Sequence, residues 1–590
     1  MQRRNFIKGA CIGSMVAFFA NSKLLASSKK LLTFEEVKAN TDDKITVPKG
    51  YEAKILISWG DPLFKKAKQY DESKNIDKNA VTNASLSFGD NTDGMNIFKL
   101  SKTRAILAVN NEYINPEIMF KHNGKNLSKD DILYEQNSLG VSIFEIEKRG
   151  NFYSVVLDSK YNRRITAHTK IAVSGPAKSS VLGKEKFVYG TLNNCANGKT
   201  PWGTYLTCEE NIDDFFGFND NEFKLNENLK RYGFSKESLY GWEKFDERFD
   251  ISKNPQEANK FGWVVEINPF DKNSTPVKRT ALGRFKHENA ELVIDKDGTV
   301  VVYMGDDEAN EFLYKFVSKH KYKKGVANPK ILDEGILYVA KFDGKEDDFR
   351  GKGKWIALEF GKNGLNKQNG FDSQADILIN ARLAGTVVGA TPMDRCEWIA
   401  SHKESGQKEL FVSLTNNKAR TQANSANPRA KNIYGHIIKF WQKNTHKDEE
   451  FFWEIFVLAG QPDNKSGLYK GSKNINTQNK FNSPDGLKFD KDGRLWIQTD
   501  GNYSNKGDFE GMGNNCMLAA DPSSGELKRF LVGPIACEIT GLAFNEDSTI
   551  AFVGIQHPGE NLAPSTFPNG KTPRSSIVMI RKLDGGVIGT

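Results

Sequence analysis

The chain has 590 residues, 38% of them hydrophobic and 27% charged, which is enough apolar content for a large soluble enzyme or binding protein. Its formal charge of +9 includes Arg3, Arg4, Lys8 and Lys23, so the chain beyond residue 26 carries 9 less 4, or +5. Lysines and acids are interspersed without a long basic tract, which argues against nucleic acid as a partner.

The first predicted element is an export signal. Gln2-Arg3-Arg4-Asn5-Phe6-Ile7-Lys8, the apolar run Ala10 to Ala20 and the Leu24-Leu25-Ala26 exit read as a twin-arginine signal over residues 1–26. The apolar run falls short of the roughly 20 residues that span a bilayer, and no later stretch is long enough, so no stable membrane span is expected. Residues 27–590 are then expected to form one domain. It is expected to be a monomer that the twin-arginine machinery exports folded, and to be periplasmic or secreted.

Six apolar, strand-like runs end in polar residues able to bind a metal. In chain order, Ile106 to Val109 leads into Asn110-Asn111-Glu112, Tyr205 to Thr207 into Cys208-Glu209, and Val300 to Met304 into Asp306-Asp307-Glu308. Leu410 to Leu414 leads into Asn416-Asn417, Leu495 to Gln498 into Asp500, and Ala551 to Ile555 into His557 and Glu560. Three of these runs follow a strand and a tight turn, at Asp295-Lys296-Asp297-Gly298, Asp490-Lys491-Asp492-Gly493 and Asn545-Glu546-Asp547-Ser548. The Asp-Gly pairs are hairpin signals, and the spacing excludes EF-hand calcium loops.

Recurrent strand-turn-strand units with polar ends suit an all-β fold, a six-bladed β-propeller whose strands converge on a funnel. Irregular spacing requires long insertions between strands, and Gly217 to Gln256, rich in aromatic and charged residues, is one. No Pro/Ser/Gly-rich linker divides the array.

Cysteine use points to a metal. Cys11 lies in the signal, leaving Cys195, Cys208, Cys396, Cys516 and Cys537 for an oxidising compartment, and five thiols cannot all pair. Cys208 is the strongest candidate ligand because Glu209 and Glu210 follow it. Carboxylates alone suit calcium or magnesium, whereas a thiolate selects softer iron or zinc.

Several ordered blocks resemble the PhoX-type alkaline phosphatase family. They are Thr200 to Thr204 with Thr207-Cys208-Glu209-Glu210-Asn211, Lys278 to Glu288, Met304-Gly305-Asp306-Asp307 and Met393 to Trp398. Pro484 to Leu487 with Gln498 to Gly501, and Ile555 to Glu560, complete the set. The resemblance implies a six-bladed propeller with an iron and calcium cluster that hydrolyses phosphate monoesters outside the cytoplasm. Carried over by matching blocks, Cys208 binds iron, and Glu112, Glu209, Glu288, Asp306, Asp307, Glu397, Asp485 and Asp500 are the pool for the remaining ligands.

On the substrate side, Arg395 and then Arg420 suit phosphate, because a guanidinium fork grips two oxygens and stays charged at alkaline pH. His287 is placed to orient Glu288 or act as an acid. A solvent-derived nucleophile makes a serine or cysteine nucleophile unnecessary, so Cys208 is a ligand and not an attacker. The sequence departs from the family pattern with Asn111 before Glu112 and Cys396 after Arg395. Two competing readings are a calcium-dependent propeller lactonase or phosphotriesterase, which has no need of a thiolate, and a non-catalytic binding propeller, which has no need of clustered carboxylates.

Overall fold

The computed structural model describes residues 30–73, 76–345, 348–402 and 408–590; the predicted export signal lies outside them. The described residues are nearly all β, in five sheets with a few short helices.

One sheet joins the two ends of the described chain: Tyr51–Ser58 pairs antiparallel with Ser576–Lys582, followed by Ile550–Gln556 and Glu538–Phe544. The next is built on Thr92–Lys99, Arg104–Asn111 and Gly140–Arg149, and the third runs from Asn194–Lys199 through Tyr205–Glu209 and Val264–Ile267. The nine-stranded sheet begins at His287–Ile294, passes outward through Thr299–Asp306 and Leu313–Lys321, and returns to end at Cys396–Ser401. The last comprises Pro484–Phe489, Leu495–Thr499, Cys516–Ala520 and Leu527–Val532.

Six leading strands, those starting at Thr92, Asn194, His287, Cys396, Pro484 and Glu538, are packed in closed cyclic order, each against the one before and the one after. Glycine permits this approach. A Cβ at Gly94 would lie 2.8 Å from the Ala196 backbone, and one at Gly541 2.4 Å from the Asp93 carbonyl oxygen.

Apolar cores fill the spaces between neighbouring sheets. Trp496, Phe530, Val553 and Ile580 pack between the last sheet and the terminal one, while Val109, Phe144, Phe552 and Met579 fill the next gap. Burying both faces of a sheet explains why strands such as Val300 to Met304 read as continuous apolar runs and not as alternating ones. All three sequence-predicted turns close hairpins, with Gly298 and Gly493 at positive φ.

The segment between Tyr205–Glu209 and Val264–Ile267 contains the predicted insertion Gly217 to Gln256; it is a set of short helical turns whose aromatic residues Phe215, Phe216, Tyr240, Trp242 and Phe249 share a core with Trp59 and Phe120. A second insertion carries the helices Gln374–Ile379 and Ala381–Val387. Arg231 joins the two, bonded to Thr386 of the second and, through Nε and Nη2, to both oxygens of Glu311.

Candidate metal centre and active site

Antiparallel pairing gathers the site. The start of each leading strand lies opposite the end of the next: Thr92 faces Asn111, Asn194 faces Glu209, His287 faces Asp306, Cys396 faces Leu414, Pro484 faces Thr499 and Glu538 faces Gln556. The strand endings found in the sequence therefore meet a second set of residues at strand beginnings. In five leading strands the second residue is a metal-ligand type: Asp93, Cys195, Glu288, Glu397 and Asp485. A register break spans it in all five of these strands, between Thr92 and Met95, Asn194 and Asn197, His287 and Ala290, Cys396 and Ile399, and Pro484 and Leu487. Such bulges re-aim side chains where pairing begins.

The donors form overlapping groups whose ligand atoms lie within 4.8 Å of one another: Asp93, Glu112 and Cys195; Cys195, Glu210 and Glu288; Glu288, Glu397 and Asp485; and Asp500, Glu538 and His557. The Cys195 S–H donates to Asp93 Oδ2 at 3.1 Å and reaches both Glu288 oxygens at 3.3 and 3.2 Å.

Electrostatics show what this crowd lacks. Burial first, then neighbouring carboxylates, pushes Glu112, Glu288 and Glu397 well above the ordinary range, and Asp93 rises to about 6 mainly through burial. The Cys195 thiol is raised by burial and by Asp93 and Glu288. Nearby protein cations are already committed: Lys286 Nζ lies 3.3 Å from Asp213 and 3.1 Å from Glu308, and Arg395 binds Asp307 and Glu397. Glu210 Oε1 is buried without a hydrogen-bond partner among the described residues. Unpaired buried charge is costly, so this donor set fits metal ions, with oxygen ligands for hard ions and one thiolate for a softer ion.

A consequence is testable by metal removal. A carboxyl whose folded pKa is raised stabilises the fold while protonated, below its unfolded value near 4, and loses that contribution as pH rises through the folded value. For Asp93 the window runs from about 4 to about 6, and for Glu112, Glu288 and Glu397 it extends higher. Chelator-treated protein should therefore melt at progressively lower temperature from pH 5 to pH 9. The metal-loaded protein should show a much flatter profile, and parallel profiles would contradict the assignment.

Of the residues singled out in the sequence, Glu112, Glu288, Glu397, Asp485 and Asp500 are brought into these groups. Others have different partners. Cys208 is fully buried in the apolar core opposite Val264 and belongs to no donor group among the described residues, so the thiol in the site is Cys195. Glu209 is taken up by Lys278 Nζ at 2.7 Å, Thr191 Oγ1 at 2.8 Å and the Gly262 and Trp263 N–H groups. Asp306 accepts two bonds from the buried Arg382, at 2.9 and 2.6 Å. His287 is buried against Phe285 with Nε2 2.8 Å from the Gly283 oxygen, and burial lowers its pKa to about 3, so it stays neutral and is committed to structure.

The two arginines divide. Arg420 is buried, bonding Asp394 at 2.5 Å and the Pro392 oxygen at 2.9 Å, so it braces the segment that leads into Arg395. Arg395 has a left-handed backbone (φ 59°), a conformation that non-glycine residues hold only when their surroundings enforce it. Its Nε and Nη2 donate to the two Asp307 oxygens at 2.8 and 2.7 Å, the side chain is 27% exposed, and Nη1 makes no hydrogen bond among the described residues. Burial raises the Asp307 carboxyl, but Arg395 outweighs it and holds the pKa below the usual value.

Asn111 accepts from Ser142 Oγ at 2.6 Å and Arg164 Nη1 at 2.7 Å, a structural role behind the strand end. Cys396 is fully buried and packs with Met393 and Leu414. Sequence reasoning missed Asp93, Cys195, Glu210 and Glu538. A signal existed for one of them: Asp93-Gly94-Met95 repeats the Asp485-Gly486-Leu487 pattern at the start of a leading strand.

Comparison with known proteins agrees with this geometry. Residues 32–559 match the family model described as alkaline phosphatase PhoX. The chain is similar to the structure of Pseudomonas fluorescens PhoX in complex with vanadate, a transition state analogue, with 49% identity and a TM-score of 0.91, covering 95% of this chain and 100% of that one. Remote similarity links it to a Xanthomonas campestris gluconolactonase, with 10% identity, TM-score 0.32 and coverage of 93% and 99% of the two chains. A protein of unknown function from Dyadobacter fermentans matches at 7% identity and TM-score 0.36, over 90% and 100%. No curated protein matches. With most of its length matched by one family model and half its residues identical to one relative, the chain belongs to the alkaline phosphatase PhoX family and is a phosphatase.

Proposed function

We propose that this phosphatase is exported by the twin-arginine route and hydrolyses phosphate monoesters, releasing inorganic phosphate, at an iron and calcium centre in the funnel of a six-bladed propeller. The observation that carries the reading is the buried crowd of carboxylates around one thiol, with the partly exposed Arg395 at its edge. The six leading strands in cyclic order support six blades, two of them continuous within the nine-stranded sheet. Pairing of Tyr51–Ser58 with Ser576–Lys582 supports one domain over 27–590, since it ties the two ends into one sheet. For export, the support is the Arg3-Arg4 signal; no helix of the described residues is long and apolar enough to cross a membrane.

Asp93, Glu112, Cys195, Glu210, Glu288, Glu397 and Asp485 would hold the metals, with Asp500, Glu538 and His557 as a further group beside them. When bound, the ions supply Lewis acidity toward phosphate oxygens and toward solvent. Arg395 Nη1 binds a phosphate oxygen while Asp307 fixes the other edge of the guanidinium, so the cation is oriented before substrate arrives. The vanadate complex of the Pseudomonas fluorescens relative, described as holding a transition state analogue, supports phosphoryl transfer as the reaction.

Elemental analysis of exported protein, paired with turnover of an aryl phosphate, is the test. Iron and calcium are both expected, with activity lost on chelation. Calcium alone with full activity would overturn the mixed centre, and failure to release phosphate would overturn the reaction.

A further inference from the structure

Beside the donor groups stand two apolar side chains, Tyr113 and Leu562, that belong to none of them. Tyr113 directly follows Glu112, is half-buried, and has its hydroxyl 3.3 Å from Glu560 Oε1. Its ring lies 6.2 Å from that of His557, at an interplanar angle of 34°. His557 belongs to the donor group with Asp500 and Glu538, so the two rings sit between the Glu112 and Glu538 ends of the centre. The turn that continues from His557 is unusual in its backbone: His557, Asn561 and Leu562 have φ of 36°, 56° and 58°, the left-handed region that non-glycine residues seldom occupy. Tyr113 holds this turn through Glu560. The result is an exposed leucine: Leu562 is 61% exposed at the tip. Backbone strain of this kind clusters at ligand clamps and active sites.

We propose that Tyr113 and Leu562, on either side of the buried His557, form a leaving-group subsite that favours phosphate monoesters of aromatic or other flat, apolar alcohols over those of small polar alcohols. The proposal rests on the phosphatase reading above and assigns its substrate class. With phosphate held at Arg395 and the metal ligands, the ester's alcohol must project outward. An aromatic group has a ring face to lie against and a leucine to cover, whereas a glycerol group has neither. Selectivity arises because contact with the leaving group persists to the transition state and enters kcat/KM.

The experiment compares phenyl phosphate with glycerol phosphate in metal-loaded wild type and in Tyr113→Phe, Tyr113→Ala and Leu562→Ser. The ratio of the two kcat/KM values should fall about tenfold in Tyr113→Ala and by a smaller factor in Leu562→Ser. It should be retained in Tyr113→Phe, which keeps the ring and loses only the hydroxyl bond to Glu560. An unchanged ratio in both Tyr113→Ala and Leu562→Ser overturns the subsite, as does an equal fall in Tyr113→Phe and Tyr113→Ala, which would make the hydroxyl brace responsible. Calorimetric affinities for phenylphosphonate and methylphosphonate separate this proposal from the reaction it rests on. If wild type hydrolyses neither ester, the phosphatase reading fails, while tighter binding of phenylphosphonate that is lost in Tyr113→Ala still upholds the subsite.

Discussion

Cys195→Ser should strip transition metal from the purified protein and reduce phosphate release by more than the roughly 10–100-fold that loss of an outer-shell partner costs a metal site. Cys195 joins two donor groups, one with Asp93 and Glu112 and one with Glu210 and Glu288, so its loss weakens both. A hydroxyl is a poor substitute, because a coordinated thiol is readily deprotonated whereas serine stays protonated near neutral pH. Cys208→Ser gives the contrast. Its thiol lies in the core with Leu206 and Val264, so serine should cost about 1–3 kcal/mol in stability for a buried hydroxyl and leave metal content unaltered. Elemental analysis and thermal unfolding of both variants decide the matter. Normal iron and rate in Cys195→Ser, with iron lost in Cys208→Ser, would return the ligand role to Cys208.

Arg395→Lys should lower kcat/KM by about 1–3 kcal/mol of transition-state stabilisation, on the order of 10–100-fold, with metal content retained. Lysine keeps the charge but cannot span both Asp307 oxygens while offering a third nitrogen to substrate. An ammonium in that place would collapse onto Asp307 and leave the phosphate without its partner. Asp307→Asn tests the same arrangement from the other side, since an amide weakens the brace without removing Arg395. Steady-state kinetics with metal analysis of the same samples separates two outcomes. Normal kinetics in Arg395→Lys would remove Arg395 from the substrate side. Joint loss of metal and rate would make it a support for Glu397, 3.2 Å away.

Half of the site was legible because a strand that ends in polar residues announces itself. Glu112 and Asp500 stand after buried apolar runs whose periodicity cannot continue through a carboxylate, and both lie in donor groups. The same rule singled out Cys208, Glu209 and Asp306, and there it was not selective. A strand end brings several polar residues, and only the direction of each side chain decides whether it meets a metal ligand, a lysine or the core. Glu209 and Glu210 are adjacent in sequence, yet Glu209 turns to Lys278 while Glu210 joins Cys195.

The family, the all-β character, the three hairpin turns and the aromatic insertion were determined by the sequence alone, because each rests on local chemistry: ordered motif blocks, apolar runs, Asp-Gly turns and composition. Tertiary structure alone decided that strand beginnings and strand endings share one site. Antiparallel pairing places Asn194 across from Glu209 and His287 across from Asp306, so Cys195 and Glu288, nearly a hundred residues apart, come within hydrogen-bonding distance. It also decided which arginine is available. Arg420 and Arg395 are both suited to phosphate by chemistry, but Asp394 and the Pro392 carbonyl bury one, while Asp307 holds the other by one edge and leaves Nη1 free of protein bonds among the described residues. Partners so distant along the chain leave no periodic trace in sequence, and their geometry exists only once the leading strands have closed on one another.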